Sequence, residues 1–296
     1  MKKTLIAMAA VAVAGVASAQ VTITGKIGFG VKDGSTTAKT MDWTDGGITF
    51  AASEDLGGGL SAAASMAISN LTSHQGYVDG DGASISLSGP FGKILYASGG
   101  SAADRLGVAS GLTISAGTAA VFGADTDAAA QFNYTLPEMV SGLSVTARIS
   151  AGAGDEIGLT NKDAQLRLAY TMGALGLTYN TIGGASPATD MGATYDAGFA
   201  KFAYAADVSG TYAATAARKR SEFSVSVPMG ALTLAASTGT RQGSSDGSSK
   251  LRAKANEFNA SYALSKRTTV NAAYGNFTTN AGASQSANTI KVVHTF

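Results

Sequence analysis

Almost everywhere after Gln20 this chain carries stretches in which apolar and polar residues alternate one by one, with no helical period between them. In the segment 21–31, Val21, Ile23, Ile27, Phe29 and Val31 fall on one face, and Thr22, Thr24, Lys26, Gly28 and Gly30 on the other. Period two belongs to extended backbone, whose successive side chains point to opposite sides. Residues 143–150 repeat it, with Leu143, Val145, Ala147 and Ile149 against Ser144, Thr146, Arg148 and Ser150, and so do residues 222–227. The pattern predicts sixteen strands, at 21–31, 45–54, 60–69, 82–88, 92–99, 129–136, 142–151, 164–171, 175–183, 190–196, 199–208, 221–227, 231–239, 255–263, 267–276 and 287–296.

The connections alternate as well. Segments 32–44, 70–81, 152–163, 209–220 and 240–254 are long and rich in Gly, Ser, Thr, Asp and Lys. Between them come tight links at Leu56 to Gly59, Gly89-Pro90, Pro137 to Ser141, Met172 to Ala174, Asp196 to Gly198, Pro228 to Gly230 and Leu264 to Lys266, with the Gly, Pro and Asp that turns require. Long loops on one rim and short turns on the other point to an all-β fold: a transmembrane antiparallel β-barrel of sixteen strands. An even number of strands puts both termini on the short-turn rim, where the first and last strands can pair and abolish the sheet edge.

Composition agrees. Mean hydropathy is +0.13 with only 14% charged residues, yet after the N-terminus no apolar stretch approaches the length of a membrane helix. A barrel resolves this, because only alternate residues need face lipid. The N-terminus has its own pattern: Lys2 and Lys3, an apolar run from Leu5 to Val16, then Ala17-Ser18-Ala19. This predicts a signal peptide over 1–19 and a single barrel domain over 20–296. Without Lys2 and Lys3 the net charge is near −1, so no basic excess points to nucleic acid. Cysteine is absent, so a secreted chain of this length must draw its stability from a closed barrel or a large core.

Residues for catalysis are lacking. The two histidines, His74 and His294, have no Ser or carboxylate partner at a motif spacing, so we expect no enzyme, cofactor or metal site. Residues 78–82 lack the closing Glu of a calcium loop and read as a solvated external turn. The inward charges are more informative. Alternation directs Lys26, Lys93, Arg148, Arg167, Lys201 and Lys291 to the barrel interior, with Glu222 and Glu257 the main acids there. A charge on the lipid side at mid-membrane would cost roughly 2–4 kcal/mol. Arg148 and Arg167, on adjacent strands, form part of a basic wall. On the outer face the third strand presents Leu60, Ala62, Ala64, Met66 and Ile68, small in the middle and suited to packing against another barrel.

The last ten residues alternate and end on Phe296, which resembles the C-terminal signal of the outer-membrane barrel assembly machinery. With the opening 21–30 after a Ser-Ala-Gln junction and the closing His294-Thr295-Phe296, the mature chain resembles the general porin family, the trimeric sixteen-stranded channels of Gram-negative bacteria, in its non-enteric proteobacterial branch. The resemblance implies a water-filled channel for passive diffusion of ions and small hydrophilic solutes. It also implies a homotrimer, set in outer-membrane lipid and lipopolysaccharide. In that family the third external loop folds into the barrel, and residues 100–128 are the connection long enough for it. Asp104, Asp125 and Asp127 would then face Arg148 and Arg167 across a constriction, setting up a transverse field. The Pro-Glu-Phe-Gly-Gly run of enteric porins is not there. The basic excess predicts weak anion selectivity. Two other readings remain: a substrate-selective channel, even one of eighteen strands, and a structural or adhesive outer-membrane barrel. Small inward residues favour an open channel.

Overall fold

In a strand buried on one face and wet on the other, alternation fixes which side turns inward, and a row of such strands closes on itself when its ends can pair. The computed structural model shows that closure. It describes residues 20–35, 37–69, 71, 79–98, 130–151, 162–183, 187–212, 216–217, 219–242, 252–278 and 284–296. The strands are β1 (Gln20–Gly34), β2 (Thr37–Gly57), β3 (Leu60–Ser69), β4 (Asp79–Gly89), β5 (Gly92–Ser98), β6 (Gln131–Thr135), β7 (Leu143–Ala151), β8 (Lys162–Met172), β9 (Leu175–Ile182), β10 (Ala188–Asp196), β11 (Lys201–Tyr212), β12 (Ala216–Ala217), β13 (Lys219–Met229), β14 (Leu232–Gln242), β15 (Arg252–Ala263), β16 (Thr268–Thr278) and β17 (Ser284–Thr295). Among the described residues, the two-residue β12 pairs with Thr211 and Tyr212 of β11. The other sixteen form the wall. Each pairs antiparallel with its chain neighbours, β11 with β13, and β1 pairs with both β2 and β17. A ring closed in this way has no place for further strands, which rules out eighteen.

The seam runs from Lys26 opposite Thr295 to Gly34 opposite Ala287. At its lower end Gly25 and Phe296 exchange backbone hydrogen bonds of 2.9 and 3.0 Å. Phe296 crosses the outer surface there: a Cβ on Gly25 would come within 2.7 Å of its ring. Gln20, the first described residue, and Phe296 share the rim of the short turns. Two turns depend on glycine, since Gly92 and Gly142 have φ near +102° and +80°, and a Cβ would meet the carbonyl oxygens of Thr135 and Thr171.

The surface is inside out relative to a soluble protein. Val21, Ile85 and Ile290 are exposed at 67%, 61% and 61%, and Phe29, Met66, Phe258 and Tyr274 also stand on the outside. The buried side chains are largely polar: Gln131, Asn133, Arg148, Gln165, Asn180, Ser224 and Glu257. That distribution fits a wall with hydrocarbon outside and polar groups inside.

Three expectations need correction. Residues 32–44 are not a loop: β1 continues to Gly34 and β2 starts at Thr37. In the segment 209–220, β11 likewise continues to Tyr212 and β13 begins at Lys219. The apolar alternation stops where lipid stops, whereas the hydrogen-bonded ladder continues above it. The outer face of β14–β16 shows the boundary. Phe258 and Tyr274 form one row, and the next row toward the long connections is Thr238, Asn256 and Asn276, joined by hydrogen bonds of 2.8 and 3.0 Å. The segment read as a solvated turn at 78–82 is also largely strand, since β4 begins at Asp79.

Candidate functional site

The inner wall is the candidate site, and its side chains follow from register. Arg148 on β7 lies opposite Asn133 of β6 and Gln165 of β8. Arg167, two residues beyond Gln165, lies opposite Thr146 and Asn180. Diagonal neighbours of this kind have Cα atoms about 7–8 Å apart, so the two guanidinium groups share one wall. Arg148 is 1% exposed. The wall continues onto β10, where Asn180 Nδ2 donates to Asp190 Oδ2 at 3.1 Å. Gln131, Asn133, Gln165 and Asn180 are all buried here, so β6–β10 present a face of amides and guanidinium groups.

The other expected bases sit elsewhere. Lys93 and Lys201 face inward but stand beside short turns, Lys93 just after Gly92 and Lys201 opposite Asp196. Lys201 Nζ lies 3.3 Å from Asp196 Oδ2, and the amide of Gly198 donates to Asp196 Oδ1 at 2.9 Å. These two lysines charge the mouth on the short-turn rim, not mid-wall. Lys26 and Lys291 meet at the seam on a single carboxylate, Asp45, at 3.3 and 2.8 Å.

Glu222 and Glu257 are inward and buried as expected, each opposite a glycine: Gly239 for Glu222 and Gly275 for Glu257. Asp104, Asp125, Asp127 and the connection 100–128 lie outside the described residues.

Alternation over the expected strands missed several inward acids. Asp45 and Asp190 open their expected strands, and Asp196 falls where the sequence predicts a turn. The structure places Asp45, Asp190 and Asp196 on the inner face beside the lysines and arginines. The basic excess on the wall is therefore smaller than alternation indicated. A β-bulge explains part of this. Gly28 pairs with Asp45 but Phe29 pairs with Trp43, so Thr44 is the extra residue. The bulge turns Trp43 outward, where it meets Phe29 edge-on at 6.1 Å, and brings Asp42 opposite Gly30 on the inside.

Among the described residues no group of three His, Cys, Asp or Glu side chains is placed to hold a metal ion. His294 sits on the outer face with Nδ1 2.9 Å from the Thr268 hydroxyl. His74 lies outside the described residues.

Several solved structures share this architecture. One is OmpT of Vibrio cholerae in its trimer form, to which this chain is similar at 12% identity and TM-score 0.74, covering 94% of this chain and 100% of that one. An anion-selective porin from Comamonas acidovorans is similar at 18% identity and TM-score 0.73, with the same coverage. A triple mutant of the Rhodopseudomonas blastica porin is similar at 12% identity and TM-score 0.64, again covering 94% and 100%. No curated protein matches by sequence. The family model described as Gram-negative porin matches residues 5–282. With its closed sixteen-strand wall, apolar outside and polar inside, the chain belongs to the Gram-negative porin family and is an outer-membrane β-barrel.

Proposed function

We propose that this porin is a homotrimer through which ions and small hydrophilic solutes diffuse passively, with a weak preference for anions. The inner wall carries this reading. On β3 and β4 its inward side chains are Ser61, Ala63, Ser65, Ser84, Ser86 and Ser88, with the hydroxyls of Ser65 and Ser84 2.7 Å apart. Small polar residues leave the lumen open to water, whereas a plugged structural barrel would fill that space with bulk.

The anion preference is supported by Arg148 and Arg167 and by likeness to the Comamonas porin, and the inward acids keep it weak. The outer face favours a trimer: Ala52, Ala62 and Ala64 lie together on β2 and β3, with Ala83 opposite Met66, a flat patch against which a second barrel can pack. We further assign residues 1–19 to a cleaved signal peptide, Phe296 to recognition by the barrel assembly machinery, and Asp104, Asp125 and Asp127 to the side facing the arginines. The polar row Thr238–Asn256–Asn276 and the exposed Lys254 suit the head groups of lipopolysaccharide. No catalytic role is assigned.

Single-channel recording of refolded protein in a planar bilayer tests the central reading. Stepwise, ohmic conductance is expected, and a barrel that inserts without conducting would end it.

A further inference from the structure

Lys291 and Asp45 belong to strands that do not touch, since β1 runs between β17 and β2. Their charged groups nevertheless meet, with Lys291 Nζ donating to Asp45 Oδ2 at 2.8 Å. The crossing is possible because β1 presents glycine on its inner face at that level. A Cβ on Gly30 would lie 2.6 Å from Lys291 Cβ, and one on Gly28 would lie 2.7 Å from Asp45 Oδ2. Lys26, on β1 itself, reaches the other oxygen of the same carboxylate at 3.3 Å. Two ammonium groups thus share one acid across the seam that closes the barrel. Lys26 is the more open of the two, its side chain 58% exposed against 26% for Lys291, while Asp45 is 13% exposed.

We propose that Asp45 is a determinant of ion selectivity, because it draws Lys26 and Lys291 against the seam and cancels one of their two charges. The inference rests on reading the chain as an open porin. The strands at the seam already share a continuous hydrogen-bond ladder, so the carboxylate is not what holds them together. Its charge does act on ions passing the wall. One unit of charge about 8 Å from an ion, screened at physiological salt, alters the chloride-to-potassium permeability ratio about twofold.

The test uses the full chain in planar bilayers. Wild-type conductance is recorded first, and its absence would count against the porin reading itself. In conducting channels, Asp45→Asn should raise the chloride-to-potassium ratio about twofold, more at low salt, and Lys26→Gln should lower it by a similar factor. The double variant, Asp45→Asn with Lys26→Gln, should return to the wild-type ratio, a compensation that a purely structural role would not produce. Unchanged ratios in the single variants would overturn the proposal. If Asp45→Asn does not refold, Lys26→Gln decides alone, and a ratio that stays at the wild-type value refutes it.

Discussion

Replacing Arg148 and Arg167 by Glu is the most direct challenge to the electrostatic account of this channel. The two residues face the same wall from adjacent strands, and the double change reverses four units of charge within about 8 Å. One unit at about 8 Å is worth about 0.5 kcal/mol in water, and about 0.2 kcal/mol after one Debye length of screening. Chloride and potassium respond with opposite sign, so each unit alters their permeability ratio about twofold. Four units should therefore shift preference toward cations about fifteenfold. The assay is the reversal potential under a KCl gradient across a bilayer holding the refolded protein. Burying a glutamate where Arg148 sits could disturb the wall, so the Gln pair is the companion measurement. Arg148→Gln with Arg167→Gln keeps hydrogen-bonding capacity and removes two units, for a shift of about fourfold. Strong cation selectivity in the wild type, or a ratio unmoved in both variants, would show that ions do not pass this wall.

Other outcomes follow from the outer face, the turns and the N-terminus. Ala62→Trp with Ala64→Trp should weaken the trimer, seen as a lower dissociation temperature on semi-native gels. An unchanged temperature would place the interface elsewhere. Gly142→Ala forces a side chain into left-handed backbone and against the Thr171 carbonyl. It should lower stability by at least about 1–2 kcal/mol in urea unfolding, and a loss near zero would mean that the turn relaxes freely. N-terminal sequencing of protein from the outer membrane should begin at Gln20, and a mature chain beginning at Met1 would contradict the secretory assignment.

Most of the wall was legible in advance because the lipid-facing constraint acts locally. Every second residue of β3 must be apolar or small, and the strand expected at 60–69 is the strand found, Leu60–Ser69. Strand ends were not legible in the same way. Lys32 to Gly34 and Thr37 to Thr40 lie above the lipid, where nothing requires an apolar outer face. Hydrogen bonding to neighbouring strands keeps them extended all the same. The inward direction of Arg148 and Arg167 follows from alternation, but nothing local marks their neighbours Gln165 and Asn180, because a buried amide has no signature of its own in a polar strand face.

Sequence alone determined the class of fold, the sidedness of each strand and the rim on which the chain ends, since all three follow from period two and from the lengths of the connections. Tertiary structure decided which charges meet. Lys291 and Asp45 stand 246 positions apart, and no local pattern relates them. They are joined because the last strand closes against the first and because two glycines on β1 leave a passage. Alternation is a property of one strand, whereas an ion pair across a seam is a property of closure, and closure exists only once all sixteen strands of the wall are in register.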